Sequence, residues 1–145
     1  MKDWRIQHGE EIKHFVHYLK SISNDYILKG GTALALCYGL DRFSEDIDLD
    51  AKNKGIIPII EAYCIKNKYS LRVSKDTHIG ERCFINYGND ERPLKIETSH
   101  RRKDIPADEL NIVNGILTYK IDPLCIMKTN AYLNRDRTRS LRLYN

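Results

Sequence analysis

The sequence predicts one α+β domain spanning residues 1–145. Its length suffices for a single hydrophobic core but not two. Apolar residues recur at helical spacing in some stretches, while others alternate strictly between apolar and polar. The two patterns also interleave along the chain: helix, strand, helix, strand, helix, several strands, then helices.

The elements follow in order. Ile12, Phe15, Val16, Leu19 and Ile22 share one helical face over residues 9–22, and Ser23-Asn24-Asp25 ends that helix. Tyr26-Ile27-Leu28 is a short apolar run of strand type. Gly30-Gly31-Thr32 turns the chain into a helix from Ala33 to Tyr38, stopped by Gly39. Residues 44–51 set Asp46, Asp48 and Asp50 on one face of a strand and Ile47 and Leu49 on the other. A helix is expected over 56–67, with Pro58 in its first turn. Strands follow near 69–75 and 82–87, then a turn at 87–90 and a strand over 94–99. A hairpin is expected about Asn114-Gly115. Asp122-Pro123 is an N-cap followed by proline at the first helical position, so it opens a C-terminal helical part over 119–145. There a helix over 123–133 and a shorter one near the end are expected.

Composition narrows the function. Apolar content of 41% and charged content of 30% are ordinary for a soluble domain. No window approaches a membrane-spanning apolar run, and Met1-Lys2-Asp3-Trp4-Arg5 is not of signal-peptide type, so a cytoplasmic protein is expected. Cys37, Cys64, Cys83 and Cys125 lie far apart with no C-x-x-C pair, which favours buried free thiols over zinc or disulfides. Basic and acidic residues balance over residues 1–92, and the whole net charge of +4 lies in 93–145. Such a basic C-terminal part suits a phosphate-rich partner, although a solvated helix face explains charge alone equally well.

Two short motifs carry chemistry. Lys29-Gly30-Gly31-Thr32 stands between a strand and a helix, where glycines admit a close ligand and free helix N–H groups favour a phosphate. Asp46-x-Asp48 sets two carboxylates on one strand face within reach of one hard cation. Either alone is weak: glycine pairs open many helices, and acidic edge strands are common. Together, with thirteen residues between Thr32 and Asp46, they match a nucleotidyltransferase signature.

The run from Leu28 to Leu34, followed by Asp41-Arg42-Phe43-Ser44-Glu45-Asp46-Ile47-Asp48-Leu49, resembles the AbiEii/AbiGii toxin family. That resemblance implies a nucleotidyltransferase fold, a mixed β-sheet flanked by helices, and often the toxic half of a type IV toxin–antitoxin pair. It implies Mg²⁺, or Mn²⁺, held by Asp46 and Asp48, with the triphosphate of an NTP over Gly30, Gly31 and Thr32. Arg42 and Ser44 join the nucleotide-binding set. A third carboxylate is expected on a later strand. Glu97 is the best candidate, ahead of Asp104 and Glu81, which lie outside clean strand patterns. Lys128 fits the family's helical lysine, and Arg135 and Arg139 fit its basic positions.

The implied activity is transfer of a nucleoside monophosphate from an NTP to an acceptor hydroxyl, with RNA (a tRNA end) favoured over protein. An antitoxin or a helical protein is the implied partner. Ser140 stands where the family carries an acidic residue, and many members continue into a further helical region. The alternatives are therefore a degenerate or truncated module that only binds nucleotide or RNA, or a subunit completed by a partner. His14 and His17, three apart on the first helix, form a weak metal pair. Tyr87, Tyr119 and Tyr132 are candidates for base stacking or for core packing.

Overall fold

The computed structural model describes residues 3–41, 43–88 and 92–144, with 135–144 described by backbone alone. Helix α1 (Trp4–Ile22) begins a turn earlier than its apolar spacing suggests, because Asp3 caps it through the backbone N–H of Arg5. Strand β1 (Ile27–Lys29) leads directly into α2 (Gly30–Tyr38), so both motif glycines lie in the helix's first turn. Gly39, left-handed at φ 67°, ends it. Strand β2 (Asp46–Asp50) and helix α3 (Ile56–Asn67) follow. Next come β3 (Ser70–Thr77), β4 (Gly80–Asn86) and β5 (Leu94–Ser99). The expected hairpin is β6 (Leu110–Val113) with β7 (Ile116–Tyr119), turned by Asn114 and Gly115 at positive φ.

The seven strands form one mixed sheet in the order β3-β4-β5-β2-β1-β7-β6. β2 runs parallel to β5 and antiparallel to β1, while β1 runs parallel to β7. β3, β4 and β5 form an antiparallel meander out to the β3 edge. One face of this sheet is apolar: Ile47, Leu49, Cys83, Ile85, Leu94 and Ile96 are all buried. α1 and α3 supply Phe15, Leu19, Ile60 and Tyr63 to the same core. Strict alternation therefore turns Asp46, Asp48, Lys95 and Glu97 to the other face.

Three expectations need correction. The C-terminal part is one helix, α4 (Ile121–Tyr144), rather than two; Pro123 lies in its first turn, where proline is tolerated, and no Gly or Pro follows it. The cysteines are free, but they are not uniformly buried: Cys64 and Cys83 are, Cys37 is half-buried and Cys125 is exposed. Glu81 does sit in a regular strand. It faces the core, where it pairs with His100 at 2.6 Å, away from the aspartates.

Candidate active site

Strand β2 carries the acidic pair into a cleft of about 780 Å³. Its walls come from several parts of the chain: Lys29, Gly30 and Gly31 at the start of α2, Phe43, Ser44 and Glu45 before β2, and Ser99, Arg101 and Arg102 at and after the end of β5. Asp46, Asp48 and Asp50 follow on β2, and Leu124, Met127 and Lys128 face it from α4. Residues nearly a hundred positions apart thus share one cavity.

Gly30 allows this closeness. Its φ is 75°, and a Cβ there would lie 3.0 Å from the Oδ2 of Asp48. At Gly31 a Cβ would lie 3.2 Å from the Ser44 Oγ. Thr32 is placed differently from a phosphate contact made through its hydroxyl. It is buried, and its Oγ1 is engaged by the Asp46 carbonyl and, at 2.9 Å, by Ser44 Oγ. The hydroxyl ties α2 to the start of β2 and so sets the spacing between the glycine turn and the carboxylates.

The electrostatics favour a cation. Burial, and then the neighbouring charge of Asp46, hold the Asp48 carboxyl above the usual carboxylate range. Lys29 and Lys95 oppose that rise, while Glu97 adds to it. Two carboxylates this close fit a hard divalent ion, which would relieve their repulsion. Glu97 stands directly opposite Asp48 in the parallel ladder, on the same face. It is bound by Arg82 at 3.2 Å and lies 3.5 Å from Lys95. Burial works against its ionised form, but the Arg82 bond and charge, with Lys95, outweigh it and lower its pKa. Lys95 also reaches Asp46, at 3.6 Å. Among the described residues, no three His, Cys, Asp or Glu side chains converge as a ready ligand set. Lys128 lines the cleft with no ion-pair partner among the described residues.

The remaining candidates divide clearly. Tyr119 is buried and donates to Asp50 Oδ2 at 2.5 Å, and Tyr87 is buried against His8, so both are structural. Tyr132 is exposed on α4. His14 bonds Tyr63 at 2.9 Å within a Glu11–Tyr63–Tyr69 network rather than pairing with His17 around a metal. Arg42 lies outside the described residues, as do the side chains of Arg135, Arg139 and Ser140.

Some residues lining the cleft or supporting its wall were assigned no role from the sequence. Lys29 is part of the glycine motif but was given no role of its own; it pairs with the buried Asp50 at 2.8 Å. Arg101 and Arg102 follow β5 as a basic pair, a signal present in the chain. His8 gave none. Its Nε2 donates to the Glu45 carbonyl at 2.7 Å and its Nδ1 accepts from the Tyr87 hydroxyl at 2.5 Å, which anchors the segment before β2. Those contacts join residues 37 and 79 positions apart.

Known proteins share this fold. The crystal structure of JHP933 from Helicobacter pylori superposes with a TM-score of 0.69 at 28% identity, covering 86% of this chain and 55% of that one. A candidate nucleotidyltransferase from H. pylori matches with the same score and identity, covering 86% of this chain and 57% of that one. The chain therefore spans little more than half the length of these relatives. No curated protein sequence matches it. Among the described residues, no helix is long and apolar enough to cross a membrane. The model of the AbiEii nucleotidyl transferase toxins of type IV toxin–antitoxin systems matches residues 18–142, and the chain belongs to that family.

Proposed function

We propose that this chain is a magnesium-dependent nucleotidyltransferase that moves an NMP from an NTP to a hydroxyl of RNA, with a tRNA end as the favoured acceptor. It acts in the cytoplasm as the toxin of a toxin–antitoxin pair. The supporting observation is the convergence of Asp46, Asp48, the α2 N-terminus and Lys128 on one cleft.

In this reading Asp46 and Asp48 hold the divalent ion, with Mn²⁺ as a substitute for Mg²⁺, and Glu97 assists from the adjacent strand. Bound there, the ion supplies Lewis-acid polarisation of the phosphates and charge neutralisation. Gly30 and Gly31 present backbone N–H groups and the positive end of α2 to the triphosphate. Ser44 lies at the same turn, and Arg42 completes the set. Lys128 offsets the charge that gathers on the departing pyrophosphate. The acceptor oxygen forms a bond to the α-phosphorus, and its proton leaves to solvent. The bond from that phosphorus to the β-phosphate oxygen breaks, and pyrophosphate departs with the electron pair. The protein's share is positioning and electrostatics rather than covalent chemistry.

Purified protein is incubated with Mg²⁺, total RNA and each α-labelled NTP, with an Asp46→Ala, Asp48→Ala double variant as control. Label on RNA with the native protein alone is the expected result. Labelling of neither RNA nor protein, by a folded protein that binds NTP, would reject the transferase reading for the isolated chain. Recovery of transfer when an antitoxin-operon or helical partner is added would instead identify a subunit needing completion.

A further inference from the structure

A second groove, of about 310 Å³, opens on the same sheet face beside the cleft. It shares Lys29, Asp48, Ser99 and Arg101 with the cleft, so the two cavities meet along one wall. From there it extends toward Lys75 and Gly80, away from Lys128 and the glycine turn.

The strand register sets its direction. Lys29, Asp48, Glu97, Arg82 and Lys75 stand opposite one another across β1, β2, β5, β4 and β3. Residues paired in register share a face, so the five form one charged row across the sheet. From Asp48 to Lys75 the row crosses three strand spacings, roughly 14 Å. The next row runs Asp46, Lys95, Phe84, Arg72, and Arg72 lies 4.3 Å over the Phe84 ring.

Lys75 reaches this face through a local irregularity. Arg72 and Lys75 are three residues apart, so regular alternation would send them to opposite faces. The register shift between Val73 and Lys75 inserts one residue into β3 and returns Lys75 to the side of Arg72. Within the row Arg82 is committed to Glu97, and Lys29 to Asp50. Lys75, Arg72 and Arg101 have no acidic partner among the described residues.

Resting on the transferase reading, we infer that this groove seats the acceptor. A single-stranded polynucleotide lies across β3 and β4, its phosphates on Lys75, Arg72 and Arg101 and a base against the Arg72–Phe84 stack. Its terminal hydroxyl reaches the wall at Asp48, which both cavities share. Uncommitted Lys75 and Arg101 line the groove, and Arg72 with the Phe84 ring stands in the next row of the same sheet face. Cations with an aromatic ring at this reach are the features that bind single strands without sequence preference. The nucleotide occupies the cleft from the opposite side, so donor and acceptor meet at the carboxylates.

The test is an Arg72→Glu, Lys75→Glu double variant, because neither residue lines the nucleotide cleft. Binding of a labelled single-stranded RNA oligonucleotide is measured across a salt series, and NTP binding in parallel. The expected result is at least about a tenfold loss of RNA affinity and a shallower salt dependence, by roughly one for each lost phosphate contact, with NTP binding unchanged. Unchanged RNA affinity would overturn the inference, as would absence of RNA binding by the native chain. An equal loss of NTP binding would also overturn it, by assigning the groove to the nucleotide. If the native chain transfers no label but its RNA binding falls in the variant, the groove stands and the transferase reading fails. If RNA labelling persists undiminished in the variant, the transferase reading stands and the groove fails. Label delivered to a protein instead of RNA would overturn the acceptor class.

Discussion

A side chain at Gly30 would begin 3.0 Å from the Oδ2 of Asp48. The glycine turn and the acidic strand are therefore in contact, and phosphate and metal ion would have to share the space between them. Gly30→Ala strains a positive-φ residue and also crowds that carboxylate. A loss of about 1–3 kcal/mol in stability is expected, with a fall in NTP affinity. Chemical denaturation and nucleotide titration check both; an unchanged variant would mean that the turn does not constrain Asp48.

Asp48→Asn should separate stability from activity. The native carboxylate is held in a half-buried position beside Asp46 and Glu97, and removing its charge relieves that conflict. In the absence of divalent ions the variant should be more stable near neutral pH, by about 1 kcal/mol, a size common for trades at functional sites. Transfer should be lost. A less stable variant in a metal-free thermal melt would show that the aspartate is structural instead.

The same shift fixes a pH dependence. A carboxyl whose folded-state pKa is raised binds its proton more tightly in the folded than in the unfolded chain. Its contribution in metal-free protein therefore weakens stability as pH rises through that raised range. Mg²⁺ competes with that proton. Magnesium affinity should accordingly fall off on the acid side at a pH above that of an ordinary aspartate, and calorimetric titration from acid to neutral pH measures it. Glu97 has the opposite sign. Its lowered pKa gives stability that is present above the unfolded value and lost as pH falls through the folded one. In Arg82→Gln that acid-side loss should shrink.

Thr32→Val keeps the shape of the side chain but removes the hydroxyl. That leaves the Asp46 carbonyl without this donor and Ser44 Oγ without its partner, in a part-buried setting. A cost of about 1–3 kcal/mol is expected. If the hydroxyl acts only by setting the spacing of α2 and β2, purified variant that remains folded should bind NTP nearly normally. A large loss of affinity at undiminished stability would assign the hydroxyl to phosphate.

The sequence alone settled whatever depends on local chemistry. α3 spans Ile56–Asn67 and β5 Leu94–Ser99, as the apolar period and the alternation require, and the Asn114-Gly115 hairpin follows from two residues that tolerate positive φ. The pairing of Asp46 with Asp48 on one strand face was legible for the same reason, since side-chain direction along a strand has a period of two. The family followed from the glycine and aspartate motifs.

Tertiary structure decided what depends on the order of strands. That β5 lies beside β2, in the register that sets Glu97 against Asp48, is a long-range pairing no local pattern encodes. The convergence of α4 on the cleft is another, and it gives Lys128 its place. Thr32 turned inward because a hydroxyl bond to a strand carbonyl is available only once β2 is packed against α2. Lys75 joined Arg72 on one face because a bulge, invisible in composition, shifts the alternation of β3 by one residue. Local periodicity sets which way each side chain points, and packing of distant strands sets what it points toward.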